Sequence, residues 1–108
     1  MRHLHQWQQI VHQLNRDKGF YEGPEATNIF LKLLLAVEEW CEAQNELRTG
    51  HAPAEIYYGP TGKPEGFGME LADAVIRIMD IAQFTGVDLE HCMAEKHEYN
   101  SQRAYKHG

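Results

Sequence analysis

Apolar residues recur at three- and four-residue intervals along most of this chain, a periodicity that favours an all-helical fold. In the first segment Leu4, Trp7, Val11 and Leu14 follow this spacing, and Lys18-Gly19 ends it. Three further segments repeat the pattern, and stretches containing glycine or proline separate them. The sequence therefore predicts four helices and no strand, with boundaries near 4–17, 24–48, 67–84 and 88–104.

The segment 51–66 contains three prolines and three glycines, so we expect a long irregular connection between the second and third helices. A loop of this length is uncommon in a compact domain and is often functional. Tyr57 and Tyr58 within it are expected either to cover a ligand or to anchor the loop against the core or a second subunit.

Length and charge restrict the classes of protein to which the chain can belong. Residues 1–108 suit a single domain, small enough that oligomerisation is expected to complete its core. The net charge of −6 disfavours nucleic acid as a partner, and no apolar run is long enough to span a membrane. Cys41 and Cys92 are isolated in the sequence, which favours a reducing, cytoplasmic compartment.

Two short acidic motifs, Glu39-x-x-Glu42 and Glu70-x-x-Asp73, lie in two of the apolar segments. Residues three apart share one face of a helix, so each motif projects two carboxylates in one direction. Four carboxylates brought together repel one another unless a cation neutralises them. Mg²⁺ takes oxygen ligands of this kind and leaves positions for substrate phosphates, so we predict a magnesium site between the two helices.

The acidic residues occupy narrow strips on helices that are otherwise largely apolar. The predicted core stripes are Phe30, Leu33, Val37, Trp40 and Cys41 on the second helix, and Leu71, Val75, Ile78 and Ala82 on the third. A solvated acidic face is the simplest alternative, but Leu31 and Leu35 share the side of the carboxylates, which predicts that the strip borders buried surface. Pairing of Arg77 with Asp73 or Asp80 is a second alternative to metal binding.

Basic residues form a complementary strip on the fourth helix. Lys96, Asn100, Arg103 and His107 follow one another at four, three and four residues, in line with Leu89, Cys92 and Met93. If that apolar stripe docks the helix on the bundle, its cations point into the acidic cleft and suit a diphosphate or triphosphate. The alternative is a helix whose basic residues favour its own dipole.

Several motifs in this order resemble the MazG-like nucleoside triphosphate pyrophosphohydrolases. The two acidic motifs, separated by 27 residues, are similar to the family's ExxE…ExxD signature. The other similar elements are Lys18-Gly19-Phe20-Tyr21, Lys63-Pro64-Glu65-Gly66-Phe67-Gly68, Ile76-Arg77-Ile78, Lys96-His97-Glu98-Tyr99-Asn100 with Arg103, and Lys106-His107-Gly108. The resemblance covers nearly the whole chain. One departure is that the chain stops at Gly108, where relatives often continue for a few residues.

The resemblance implies an all-α four-helix fold, completed as a homo-dimer or homo-tetramer. It implies Mg²⁺-dependent hydrolysis of a nucleoside triphosphate to the monophosphate and pyrophosphate by water attack at the α-phosphorus, with Mn²⁺ as a possible substitute metal. By this resemblance the metal ligands are Glu39, Glu42, Glu70 and Asp73, the base that activates water is Glu38, and the phosphate-binding residues are Lys96, Asn100 and Arg103.

Two alternatives to this activity stay open on the sequence. One is an enzyme of the same fold that acts on dUTP, dCTP or phosphoribosyl-ATP, since no motif specifies the base or sugar. The other is a non-catalytic acidic helical module that binds a partner or a regulatory cation. Opposed charges in a single cleft favour an enzyme, because an interaction surface does not need them.

Overall fold

The computed structural model describes residues 3–104, which form four α-helices and one short β-hairpin. The helices are α1 (Leu4–Asp17), α2 (Ile29–Arg48), α3 (Phe67–Thr85) and α4 (Leu89–Ser101), and the hairpin strands are β1 (Tyr57–Tyr58) and β2 (Pro64–Glu65). The predicted all-α class is confirmed. None of the described helices combines the length and apolar character needed to cross a bilayer. The motif Lys106-His107-Gly108 lies outside the described residues.

Capping side chains set two of the helix starts. Asp88 caps α4 as predicted, because its Oδ1 accepts a hydrogen bond from the His91 backbone N–H at 3.0 Å. The predicted start of α2 near residue 24 is wrong. Asn28 caps this helix instead, through a 3.1 Å hydrogen bond from the Leu31 N–H to its Oδ1, and turns occupy the preceding residues.

The sequence predicted an irregular connection over 51–66, but part of this segment has regular structure. Its second half forms the antiparallel hairpin, in which Tyr57 pairs with Glu65 and Tyr58 pairs with Pro64. Each strand has only two residues, too few to show a period-two pattern in the sequence. The hairpin leads directly into α3 through Gly66.

The packing of α2 against α3 reverses the core face predicted for α2, whereas part of the predicted α3 stripe, Ala82, is buried as expected. The predicted stripe on α2 is exposed: Phe30 is 82% and Trp40 54% accessible. The two helices meet instead on the side that carries the carboxylates, where Ala36, Ala43 and Ala74 are buried. Because alanine side chains are small, they allow close approach of the two backbones, and the larger apolar side chains remain on the outside.

The predicted docking of α4 along the bundle is also wrong within this chain. No residue of α4 is buried, and the helix packs mainly against α1. Gln8 of α1 holds the start of α4, since its Nε2 donates to the Val87 carbonyl at 2.7 Å and its Oε1 accepts from the Leu89 N–H at 3.4 Å. In the turn that follows, Met93 of the predicted docking stripe is 56% exposed.

Candidate metal centre

The acidic motifs of α2 and α3 converge between the two helices, as the sequence predicted. Glu39, Glu70 and Asp73 each offer a carboxylate oxygen, and these atoms lie within 4.8 Å of one another. Glu42 lines the same cleft beside them. The burial differs along the cluster: Glu39 is buried, Glu70 half-buried, and Asp73 and Glu42 exposed. A group this compact, open to solvent on one side, matches the oxygen donor set of a hard divalent cation.

The crowding of carboxylates perturbs their pKa values in opposite directions. Burial, together with hydrogen bonding to Glu42 and Glu39, raises the pKa of Glu70 to about 8. Burial and the neighbouring charge of Glu39 also raise the pKa of Asp73. Burial opposes ionisation of Glu39 as well, but bonds from Arg77, Glu70 and Glu42 outweigh it, so that its pKa is lowered. Without a cation the cluster therefore retains a proton at neutral pH.

One atom of the cluster has no partner within the described structure. Glu70 Oε2 is buried and accepts no hydrogen bond. An unsatisfied buried oxygen costs free energy comparable to the desolvation of a polar group, about 1–3 kcal/mol. A cation bound between Glu39, Glu70 and Asp73 would supply the missing interaction, so the residues present fit a bound Mg²⁺.

Arg77 is the cation in closest contact with the cluster. Its Nε donates to Glu39 Oε1 at 2.9 Å, and the side chains of Arg77 and Glu39 are 41% and 10% exposed. The sequence had suggested Asp73 or Asp80 as its partner, and the structure shows Glu39 instead. Arg77 pairs with one of the four carboxylates, so the cluster itself keeps a net negative charge even with a proton on Glu70.

The cleft around the carboxylates has a volume of about 520 Å³, within the range of pockets that hold small molecules. Residues from α1, the turn after it and the hairpin loop complete its walls. The remaining lining residues are Asn15, Phe20, Lys32, Leu35, Lys63, Ile76, Asp80 and Ile81. Sequence reasoning did not assign Lys32 or Lys63 a place here, although Lys32 interrupts the longest apolar run of the chain and could have been noticed for that reason.

A buried polar network supports the end of the cleft that lies toward α1. Asp80 Oδ1 lies 2.7 Å from His12 Nδ1, and Asp80 Oδ2 accepts from the Tyr21 hydroxyl at 2.8 Å. Burial and this hydrogen bond raise the pKa of Tyr21. The Lys32 ammonium lies 4.0 Å from the centroid of the Tyr21 ring, a cation–π contact. These contacts connect α1, α2 and α3 beneath the cleft.

The phosphate-binding residues expected on α4 do not line the cleft in this chain. Lys96 and Arg103 lie near the Tyr99 ring, at 5.3 and 5.6 Å from its centroid. Asn100 is half-buried, and its Oδ1 has no hydrogen-bond partner in the described structure. His107 lies outside the described residues. The structure places α4 against α1, and no residue of α4 lines the α2–α3 cleft.

Glu38, the expected base, is exposed and does not line the cleft. It precedes Glu39 on α2, and a step of about 100° around the helix carries its side chain away from the side that meets α3. Its role therefore stays a prediction from the resemblance alone.

Comparison of the chain with protein-family models, with curated proteins and with solved structures gives no match. The resemblance to the MazG-like family thus stays a prediction that the motifs carry.

Proposed function

We propose that the protein is a Mg²⁺-dependent nucleoside triphosphate pyrophosphohydrolase. The observation that supports this most directly is the convergence of Glu39, Glu70 and Asp73, with Glu42 beside them, in a cleft large enough for a nucleotide. Cationic side chains at Lys32, Lys63 and Arg77 border the same cleft. Phosphoryl transfer requires positioning and charge neutralisation more than covalent chemistry, and this set of residues supplies both.

Glu39, Glu42, Glu70 and Asp73 are the residues that would hold the metal. When bound, Mg²⁺ would neutralise charge on the phosphate oxygens and polarise the phosphorus that water attacks. The unpartnered Oε2 of Glu70 and the raised pKa of this residue both fit a site that is completed by a cation. Glu42 is exposed and lines the cleft, so its carboxylate oxygens are accessible to a metal ion.

We further propose that the functional protein is a homo-oligomer. The accessible surface is 8164 Å², whereas about 6,200 Å² is typical of a folded monomer of this mass. The outer side of α2 exposes a row of large apolar residues: Phe30, Leu33, Leu34, Val37 and Trp40. A second copy of the chain packed on this row would bury it and so complete the core, as the length of the chain predicts.

The function is tested by measuring pyrophosphate release from a panel of canonical and modified ribo- and deoxyribonucleoside triphosphates with Mg²⁺. We expect the wild-type protein to release pyrophosphate and the monophosphate from at least one of them. Asp73→Asn and Glu42→Gln should abolish this release while far-ultraviolet circular dichroism stays near wild type, because the shape of each side chain is kept. Arg48→Gln, on the exposed last turn of α2, is the control.

Two results would contradict the proposal in different ways. If Asp73→Asn turns over nucleotide at the wild-type rate, the carboxylates are not metal ligands. No turnover of any nucleotide, combined with binding of Mg²⁺, would favour the non-catalytic module that binds a cation.

A further inference from the structure

The hairpin formed by β1 and β2 carries a lysine at the edge of the cleft. The loop between the strands closes through a 2.9 Å hydrogen bond from the Gly59 N–H to the Lys63 carbonyl, and Lys63 immediately precedes β2. The side chain of Lys63 is exposed and lines the cleft that contains the four carboxylates. A residue from the long connection therefore reaches the site formed by α2 and α3.

The base of the hairpin is tied to the end of α2. The Tyr57 hydroxyl donates to Glu46, with both carboxylate oxygens at 2.8 Å. His51 stacks on the Tyr57 ring at 4.4 Å between centroids, and its Nδ1 lies 3.1 Å from Glu55 Oε2. The hydrogen bond to Glu46 and partial burial raise the pKa of Tyr57 to about 12, so the phenol keeps its proton and remains a donor.

Gly66 connects the hairpin to α3 where no side chain fits. Its φ of +136° lies in a region that side-chain-bearing residues rarely adopt, and a Cβ atom at this position would overlap the Glu55 carbonyl oxygen. The hairpin is thus fixed at both ends, to α2 through Tyr57 and to α3 through Gly66.

Lys63 differs from the other two cations of the cleft in its interactions. Arg77 is paired with Glu39, and Lys32 lies over the Tyr21 ring. Within residues 3–104, Lys63 forms no ion pair at 4.0 Å or less. Its positive charge nevertheless acts on Asp73 and opposes the rise in the pKa of that carboxyl. Its ammonium is therefore available to an anion that enters the cleft.

We propose that Lys63 binds the polyphosphate of the substrate and that the contact between Tyr57 and Glu46 positions it. This inference rests on the proposed function and assigns the phosphate contact to the hairpin rather than to Lys96 and Arg103. A lysine ammonium on a flexible stem acts as a point charge that follows phosphate oxygens without requiring a fixed geometry. Tyr57 is a positioning residue, because it acts through the hairpin and does not line the cleft.

The test uses two probes, Mg²⁺ alone and inorganic tripolyphosphate at saturating Mg²⁺, both followed by isothermal titration calorimetry. In Lys63→Gln we expect tripolyphosphate to bind about 10- to 100-fold more weakly, as is typical when a hydrogen bond to a charged group is lost. Mg²⁺ alone should bind at least as tightly as to wild type, because a positive charge near Asp73 has been removed. Damage to the fold would weaken the binding of both Mg²⁺ and tripolyphosphate. Arg48→Gln should change neither affinity.

Tyr57→Phe tests the positioning role. We expect it to weaken tripolyphosphate binding about 3- to 10-fold without changing Mg²⁺ affinity, and to have no further effect on tripolyphosphate in the Lys63→Gln background. If the two substitutions instead act additively, Tyr57 does not work through Lys63.

The outcomes separate failure of this inference from failure of the proposed function. If wild-type protein binds magnesium tripolyphosphate and Lys63→Gln binds it equally well, the assignment of Lys63 is wrong while the proposed function stands. If wild-type protein binds no magnesium tripolyphosphate and releases no pyrophosphate from nucleotides, both are wrong.

Discussion

Replacing Arg77 by methionine tests whether an ion pair and the proposed metal site use the same carboxylate, because Arg77 and the proposed cation share Glu39. The Arg77 guanidinium lies 2.9 Å from this carboxylate. Methionine keeps much of the apolar length of the side chain and removes its charge. The buried carboxylate of Glu39 then has no cation within contact distance, and the protein should lose stability.

The expected loss follows from the burial of the two partners. Breaking a buried ion pair costs about 3–5 kcal/mol, whereas exposed pairs contribute about 0–1 kcal/mol. Glu39 is 10% exposed at its side chain but Arg77 is 41% exposed, so solvent screens the pair and we expect about 2 kcal/mol. Protonation of Glu39 limits the cost further. For a domain of this size such a loss lowers the melting temperature by roughly 10 °C.

The assay is thermal unfolding of wild type and Arg77→Met at one protomer concentration, in EDTA and in excess Mg²⁺. Mg²⁺ at a hundred times its dissociation constant stabilises a folded protein by about 2.7 kcal/mol. The increment should be larger in Arg77→Met, because the cation no longer competes with the guanidinium for Glu39. Arg48→Met, exposed at the end of α2, is the matched control. Equal Mg²⁺ increments in wild type and Arg77→Met would refute the shared carboxylate.

Two further predictions concern the buried groups around the cleft. Asp80→Ala leaves His12 and the Tyr21 hydroxyl without their partner, so we expect urea unfolding to show a loss of about 2–4 kcal/mol in the free energy of unfolding. The loss should be smaller in Asp80→Asn. A loss below about 1 kcal/mol in Asp80→Ala would show that the network contributes little. In EDTA, burial raises the pKa of Glu70 from 4.5 to about 8. Between these values the folded state binds a proton that the unfolded state has lost, so the free energy of unfolding should fall as pH rises from about 5 to 8. Mg²⁺ should remove this fall, and unfolding midpoints in EDTA that do not change over the same range would contradict it.

Local structure followed closely from local sequence. The end of α1 and the extent of α3 were predicted to within about a residue, because apolar spacing and glycine punctuation act over a few positions. Asp88 was identified as a cap for the same reason. The start of α2 was misplaced because proline at residue 24 is compatible with a first helical turn, while the Asn28 side chain, four residues later, actually caps the helix.

The candidate site could be predicted only in part. The spacing of Glu39, Glu42, Glu70 and Asp73 was sufficient to place them on two helix faces, and the structure brings them into one cleft. No such rule applied to Lys63, because its position depends on a hairpin of two-residue strands and on the hydroxyl of Tyr57.

By itself the sequence determined the helical class, most of the helix boundaries and the acidic motifs that define the candidate metal centre. Which side of α2 meets α3, and where α4 lies, were decided by the tertiary structure. The physical reason is that both sides of α2 are apolar, so hydrophobicity alone does not distinguish them. The small side chains of Ala36 and Ala43 permit close packing on one side, and the hydrogen bonds of Gln8 attach the start of α4 to α1.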